Sequence, residues 1–551
     1  MPAAEELRRR SLAAAEGVGR AALAVLRPVR RALRPVGLLF ESPLLVRELR
    51  QLCRGRKFFL SYTFALAAIA ALMLIIAGVQ IAAGDDPAKI GGHIFGLFTM
   101  VTMLAVVLLA PAFSCTSITS ERERKTYDLL VTTTIEPWQI IWGKMLSAAV
   151  VIGLFLVATW PLVSVSFMFG GVSPGEIALA YVTAVVGTLV CTALSLAVSA
   201  VARDSRVAIV SAYVAVLILA GVAFGATLRA QSLTWGSGLS LLHRLGQFAW
   251  HEQVVIVALP LYLLAVVFVF SILVAVNRLK PETWNRSTNL RLAFVAFVVA
   301  GLALWAFAAG HAAKGVAIDR TACGLMLPAW VVLYAGVLLF ACEPVRAPAR
   351  VERAFARKGR LARAFQAACF PGAVRGVRFL VLVSVLVLAG LLVPPLVNGA
   401  AGGAAYEAAL LACGAFVFTL AFACLGLLVS SFGLRRRAVV AANGAAAVLL
   451  GVGPWLHAIW QSTSLDEVRN GFFSLHYASP FLAAESLFES GEAHTFAAVG
   501  LKGVPLWAGL IVFYSVAVLV LGAWAARRVR DRWPLPAAAA AAPPEERSGE
   551  G

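Results

Sequence analysis

The chain has 551 residues, 61% of them hydrophobic and 14% charged, with a mean hydropathy of +0.86. Ordinary soluble domains are about 45–50% apolar and about 25% charged, so a soluble enzyme, a disordered chain and a disulfide scaffold are excluded. The net charge of +19 does not mark a nucleic-acid surface: set against the apolar stretches, it follows membrane topology, and no nucleic-acid partner is expected.

Residues 1–57 are a basic arm and a surface helix. They lack a compact apolar core ahead of a small-residue cleavage site, so no cleavable signal peptide is expected. Ser42 is a plausible N-cap and Pro43 a plausible first helical residue. Leu45, Leu49 and Leu52 recur on one face, with Arg47, Arg50 and Arg54 beside them. That pattern predicts an amphipathic helix over 42–57 lying on the membrane surface.

A helix needs about 20 mainly apolar residues to cross the bilayer. Twelve stretches qualify: 58–80, 94–113, 145–169, 177–201, 207–228, 253–276, 292–310, 326–342, 379–397, 408–431, 438–460 and 504–526. The expected fold is therefore all-α and polytopic, with about 12 transmembrane helices. With both termini cytoplasmic, only Lys89, Arg229, Arg244, Lys314, Arg320, Arg469 and Lys502, of 47 Lys and Arg, fall outside. This is the positive-inside pattern of a plasma (inner) membrane protein in contact with anionic lipid.

An internal repeat divides these spans. LAVSAVARDSRVAIVSAY (196–213) aligns without gaps on LLVSSFGLRRRAVVAANG (427–444), setting Ser199 on Ser430 and Arg206 on Arg437 at an offset of 231. The expected organisation is a first six-helix half (58–276), a cytoplasmic linker (277–291), a second six-helix half (292–526) and a disordered tail (527–551). An even number of spans makes the repeat parallel. Two long outer segments, 229–252 and 461–503, are expected to hold short interfacial helices.

The loop 114–144, SCTSITSERERKTYDLLVTTTIEPWQIIWGK, carries the most information. Ser120 with Glu123 fits a capping box, predicting a helix from about 120 to 131. Pro137 can open a second helix bearing Trp138, Ile140, Ile141 and Trp142 into the interface. A short helix tied at both ends to membrane spans can receive a push from a soluble partner.

The string ITSERERKTYDLLVTTTIEPWQIIWGK resembles the signature of type-2 ATP-binding-cassette exporter permeases. Glu121, Arg122 and Glu123 match that family's E-R-E triplet, and Thr126, Leu129, Leu130, Gly143 and Lys144 match its later positions. The resemblance implies that this loop is a coupling helix docking on a cytoplasmic ATP-binding subunit, and that 42–57 is a connecting helix. It also implies a dimeric pore, from a homodimer or with a second permease. On this reading the E-R-E residues make polar contacts with the ATPase, Leu129 and Leu130 anchor the helix by burial, Gly143 allows close packing and Lys144 fixes the depth of the span. Lys125 stands where the family has Gly. The second-half loop, 343–376, lacks E-R-E and Gly-Lys and is Arg-rich. That half is a degenerate partner or an accessory membrane domain.

No GxxxxGK[ST], HExxH or GxSxG occurs, so no cofactor, catalytic residue or metal site is expected in this chain. All seven histidines fall at or beyond the outer span ends, none at zinc-ligand spacing. Cys323 alone of eight cysteines is near the outer face, so structural disulfides are not expected. The twelve apolar cores hold no Asp, Glu, Lys or Arg. An ion-coupled secondary transporter, the alternative, ordinarily keeps such groups at depth. A polytopic structural or lipid-modifying protein would show clustered acidic or His residues at one face.

Overall fold

The computed structural model describes residues 56–83, 87–126, 136–170, 172–232, 250–281, 283–311, 332–356, 369–397, 403–447, 449–450 and 506–532. Among the described residues every regular element is helical. Nine helices among the described residues are long and apolar enough to cross a membrane, and Ser205–Gly221, Val332–Ala341 and Ala438–Ala447 are shorter apolar helices at three of the expected spans. The chain is an all-α, multi-pass membrane protein. The surface helix expected over 42–57, save Arg56 and Lys57, lies outside the described residues, as do most of the two long outer segments. Contacts divide the chain into two compact units, Met1–Phe248 with Leu264–Lys280 and Ala249–Leu263 with Pro281–Gly551.

The first unit contains α1 (Arg56–Ala82), α2 (Pro87–Ser114), α3 (Thr119–Glu123), α4 (Pro137–Phe169), α5 (Pro174–Val201), α6 (Ser205–Ser232) and the C-terminal part of α7 (Trp250–Leu279). Two helix starts carry reciprocal caps that sequence inspection missed. At α5 the Ser173 hydroxyl accepts from the Glu176 N–H at 3.3 Å and the Glu176 carboxylate accepts from the Ser173 N–H at 2.8 Å. At α4 Gln139 Oε1 accepts from the Glu136 N–H at 3.2 Å. Both have Pro at the first helical turn, where its missing N–H costs nothing. The helix starting at Pro137 is thus continuous with the span expected from 145. Its 33 residues reach about 50 Å, well beyond the hydrocarbon core, so its first turns stand clear of the bilayer.

Helix α5 is the hub of this unit. Its buried positions are mostly small: Ala184, Thr188, Thr192, Ala193, Ser195, Ala197, Ser199 and Ala200. In lipid no hydrophobic force drives helices together, so close backbone approach must do so, and small residues permit it. Thr188, Thr192 and Ser195 return their hydroxyls to the carbonyl four residues back, which satisfies those three groups within the apolar layer. Ile94, Phe98 and Val106 of α2 and Ile152, Phe155 and Leu156 of α4 complete the core. At the far end α2 touches α4 backbone to backbone: a Cβ on Gly91 would lie 2.0 Å from the Gly170 carbonyl oxygen. Leu60, Phe64, Leu74 and Met168 are exposed apolar side chains, as lipid-facing surfaces require.

The second unit contains α8 (Thr288–His311), α9 (Val332–Ala341), α10 (Ala349–Ala356), α11 (Ala373–Val397), α12 (Gly403–Ser431), α13 (Arg436–Ala447) and α14 (Leu506–Arg532). Helix α9 closes in a π turn, Val337–Ala341. Such a turn shifts carbonyls out of the ordinary ladder, and Arg436 donates to the Leu339 carbonyl at 2.8 Å. Gly376 makes room for it, since a Cβ there would lie 2.1 Å from the Phe340 oxygen. Below the turn, Arg291 Nη2 meets Glu343 Oε2 at 2.7 Å, and the Arg291 side chain is fully buried. Its guanidinium lies over the rings of Phe340 and Phe379. Helix α14 continues to Arg532, taking in the first six residues of the expected tail, because Ala525 to Arg530 have no breaker and keep good helix formers.

Candidate functional site

Helix α3 is five residues long, and almost every polar group on it is engaged by another helix of the first unit. Its N-terminus does not use the expected capping box, and Ile118 at the N-cap position makes no side-chain cap. Instead Ser199 Oγ of α5 accepts from the N–H groups of Ile118 and Thr119 at 3.2 and 3.4 Å. The residue reaches this post from 80 positions away in sequence. Its only sequence signal was the repeat alignment with Ser430. Ile118 is 1% exposed and packs among Ile140, Ile141 and Met145 of α4, Ala193, Leu196, Ala197 and Ala200 of α5, and Ala275, Val276 and Leu279 of α7.

The three residues of the E-R-E triplet address three different helices. Glu121 Oε1 pairs with Lys144 Nζ of α4 at 2.9 Å, and the two side chains are 13% and 3% exposed. Lys144 also donates to the Ser117 carbonyl at 3.2 Å. Arg122 donates to the carbonyls of Ala202 and Ala200, both at 3.0 Å. These are orphan acceptors at the C-terminal end of α5, where the helix dipole favours a cation. Glu123 Oε1 accepts from the Ser205 N–H at 2.7 Å, at the first residue of α6. A carboxylate there meets the positive end of a helix dipole. The Ser205 N–H, with its hydroxyl and the Arg206 charge behind it, holds the Glu123 carboxyl below its usual range. The Ser205 hydroxyl bonds Thr119 Oγ1 at 3.1 Å.

The helix ends in a reversal at Lys125, whose φ of 58° is left-handed. The Thr126 N–H bonds the Glu121 carbonyl at 3.0 Å and the Lys125 N–H bonds the Arg122 carbonyl at 3.1 Å. These are the two bonds of a Schellman cap, and its C′ position is the one glycine suits best. The Thr126 hydroxyl adds a 3.2 Å bond to the same Glu121 oxygen. The helix therefore stops at Glu123 rather than near 131. Leu129 and Leu130, with the rest of 127–135, lie outside the described residues. Gly143 is buried on α4, one residue before Lys144.

The sequence reading turned the charged triplet outward. Its bonds here run inward, to Lys144, to the end of α5 and to the start of α6, while Glu123, Arg124, Lys125 and Thr126 remain exposed. The arrangement is a short helix clamped to four transmembrane helices, with its C-terminal turn in solvent. Its groups are structural ion pairs and caps, with no nucleophile–base pair among them. No cluster of three His, Cys, Asp or Glu able to hold a metal occurs among the described residues.

Residues 43–234 match the family model described as ABC-2 family transporter protein, a span that includes α3 and the residues of α4, α5 and α6 that bond to it. No curated protein and no solved structure matches the chain.

Proposed function

We propose that the chain, whose residues 43–234 match the ABC-2 family transporter model, is an ABC-type transport permease that exports its cargo with energy supplied by a separate ATP-binding subunit. The observation that carries the reading is the clamping of α3: Glu121 to α4, Arg122 to the end of α5 and Glu123 to the start of α6. A push on a helix held this way moves several spans together, because packed helices shift as bodies rather than deform. Nothing in the sequence resembles a phosphate-cradling loop, so the nucleotide is hydrolysed elsewhere.

In this reading α3 and the segment after it lie in the cytoplasm, beneath the inner membrane, with both termini on that side. Glu121, Arg122, Glu123 and Lys144 hold the lever to the spans. Gly143 keeps α4 slim where the lever lies against it. Thr126 closes the exposed turn, and Leu129 and Leu130 supply the apolar anchor buried in the ATPase. A pore completed by a second copy or a second permease, in contact with membrane lipids, follows from the same reading.

The test is purification from native membranes in mild detergent. An ATP-hydrolysing subunit should follow the chain, and Leu129→Asp with Leu130→Asp should release it while the permease stays folded. Turnover in purified vesicles driven by a proton gradient, without any nucleotide hydrolase, overturns the proposal.

A further inference from the structure

The 231-residue repeat offset carries α3 onto 350–354, inside α10 of the second unit. The two loops share a place in the repeat but differ in charge. Residues 114–144 hold four basic and four acidic residues, whereas 343–376 hold eight basic and two acidic. Both acids of the second loop have partners inside it or its neighbours. Glu343 pairs with Arg291 and accepts from Ser287 and the Gly372 N–H. Glu352 pairs with Arg375 at 3.4 Å. Arg346, Arg350 and Arg353 are exposed to solvent, the last two three residues apart and so on one face of α10.

The position of that face is fixed. Val351 on α10 is buried, and the Glu352 bond reaches Arg375 in the first turn of α11, an apolar spanning helix. The helix is therefore held at the level where α11 enters the bilayer. Arg378, one turn further along α11, is exposed as well. A cluster of cations at the interface, on the side the positive-inside pattern makes cytoplasmic, meets lipid phosphate first. Guanidinium groups suit phosphate oxygens by their forked donors.

We propose that Arg346, Arg350 and Arg353 form a binding site for anionic phospholipid headgroups of the cytoplasmic leaflet. The second unit is then seated on lipid through the loop that the repeat sets opposite the α3 loop of the first. The proposal does not depend on the ATPase reading, since it rests on the charge and position of α10 and the loop before it, beside the start of α11.

The test is native mass spectrometry of the full chain in detergent, titrated with dioleoylphosphatidylglycerol and with dioleoylphosphatidylcholine. The anionic lipid should bind in preference to the zwitterionic one. At roughly fivefold per cation, R346Q/R350Q/R353Q should weaken the anionic lipid on the order of 100-fold and leave the zwitterionic lipid unchanged. R346K/R350K/R353K, which keeps the charge, should retain most of the affinity and so excludes misfolding as the cause. R527Q/R530Q/R532Q, which removes the same charge at the end of α14, should change it by no more than about fivefold. Equal losses in the two Gln triples, absence of lipid preference, or displacement of the lipid by millimolar inorganic phosphate overturns the site. So does release of an ATPase subunit by the α10 Gln triple with lipid binding intact, because α10 would then be a protein dock.

Discussion

Lys144 Nζ lies 2.9 Å from Glu121 Oε1, across 23 residues of chain, and both side chains are largely shut off from solvent. The pair fastens α3 to the first turns of α4. A buried ion pair adds little net stability over an apolar substitute, but breaking one side leaves an uncompensated charge. Lys144→Met should therefore destabilise the first unit by about 3 kcal/mol, and Lys144→Met with Glu121→Met should recover part of that loss. The thermal unfolding midpoint in detergent reads both, and strict additivity of the two substitutions would contradict the coupling.

Arg122 tests the lever without touching any docking face. It bonds two carbonyls at the end of α5, and each charge-assisted bond is worth about 1.5–3 kcal/mol. Arg122→Ala should leave a bound ATPase subunit in place while lowering cargo movement per ATP by about tenfold or more. Arg122→Lys should rescue only part, because one ammonium cannot span both acceptors as the guanidinium fork does. Transport and hydrolysis measured on the same vesicles separate the two effects.

The depressed Glu123 carboxyl gives a pH dependence of defined sign. An acid whose folded pKa lies below its ordinary value, 4.5 here, contributes stability that is present above that value and is lost as pH falls through the folded pKa. Protection of the Ser205 amide against hydrogen exchange, corrected for intrinsic rates, should hold at about pH 6 and be lost only as pH falls through the depressed folded pKa. Glu123→Gln should remove the acid step, since its amide oxygen accepts at every pH.

Lys125 occupies a conformation that costs a side-chain-bearing residue about 1 kcal/mol. Lys125→Gly should raise the thermal midpoint, and Lys125→Val should lower it further than loss of the Lys charge can explain. Thermal unfolding of the three chains side by side checks the order.

Gly376→Ala addresses the second unit. The added methyl would lie 2.1 Å from the Phe340 oxygen, and overpacking of this kind costs about 1–3 kcal/mol. The variant should unfold earlier, and the loss should be smaller in a chain where the π turn has been straightened by deleting one residue from Val337–Ala341.

Much of the fold was legible because a bilayer leaves the chain few options. Apolar runs of about 20 residues must be helices, so the nine long helices were visible as stretches of sequence. Their ends were less so. Pro137–Lys144 is helix outside the apolar window, and hydropathy alone cannot see it, although the Glu136-Pro137-Trp138-Gln139 cap was there to be read. The E-R-E string drew attention to Glu121, Arg122 and Glu123, but the direction of their side chains was not legible. Charged residues in a polar loop look the same whether they face a partner or cap the ends of neighbouring helices. The deciding residues, Ser199, Ala200, Ala202 and Ser205, lie some 80 positions away. The short α3 has a similar origin: a capping box is a local signal, and the Ser199 hydroxyl outcompeted it from another helix.

Adjacent residues Arg122 and Glu123 grip the two sides of the bend at 203–204, one at the carbonyls before it and one at the amide after it. Short exposed bends are ordinarily where extra residues are tolerated and reading-frame-preserving insertions accumulate. Here the bend has become a gauge block. One added residue between Ala202 and Ser205 would part the jaws and free one of the two holds, so this small surface corner should be as strict about its length as any buried position is about its volume.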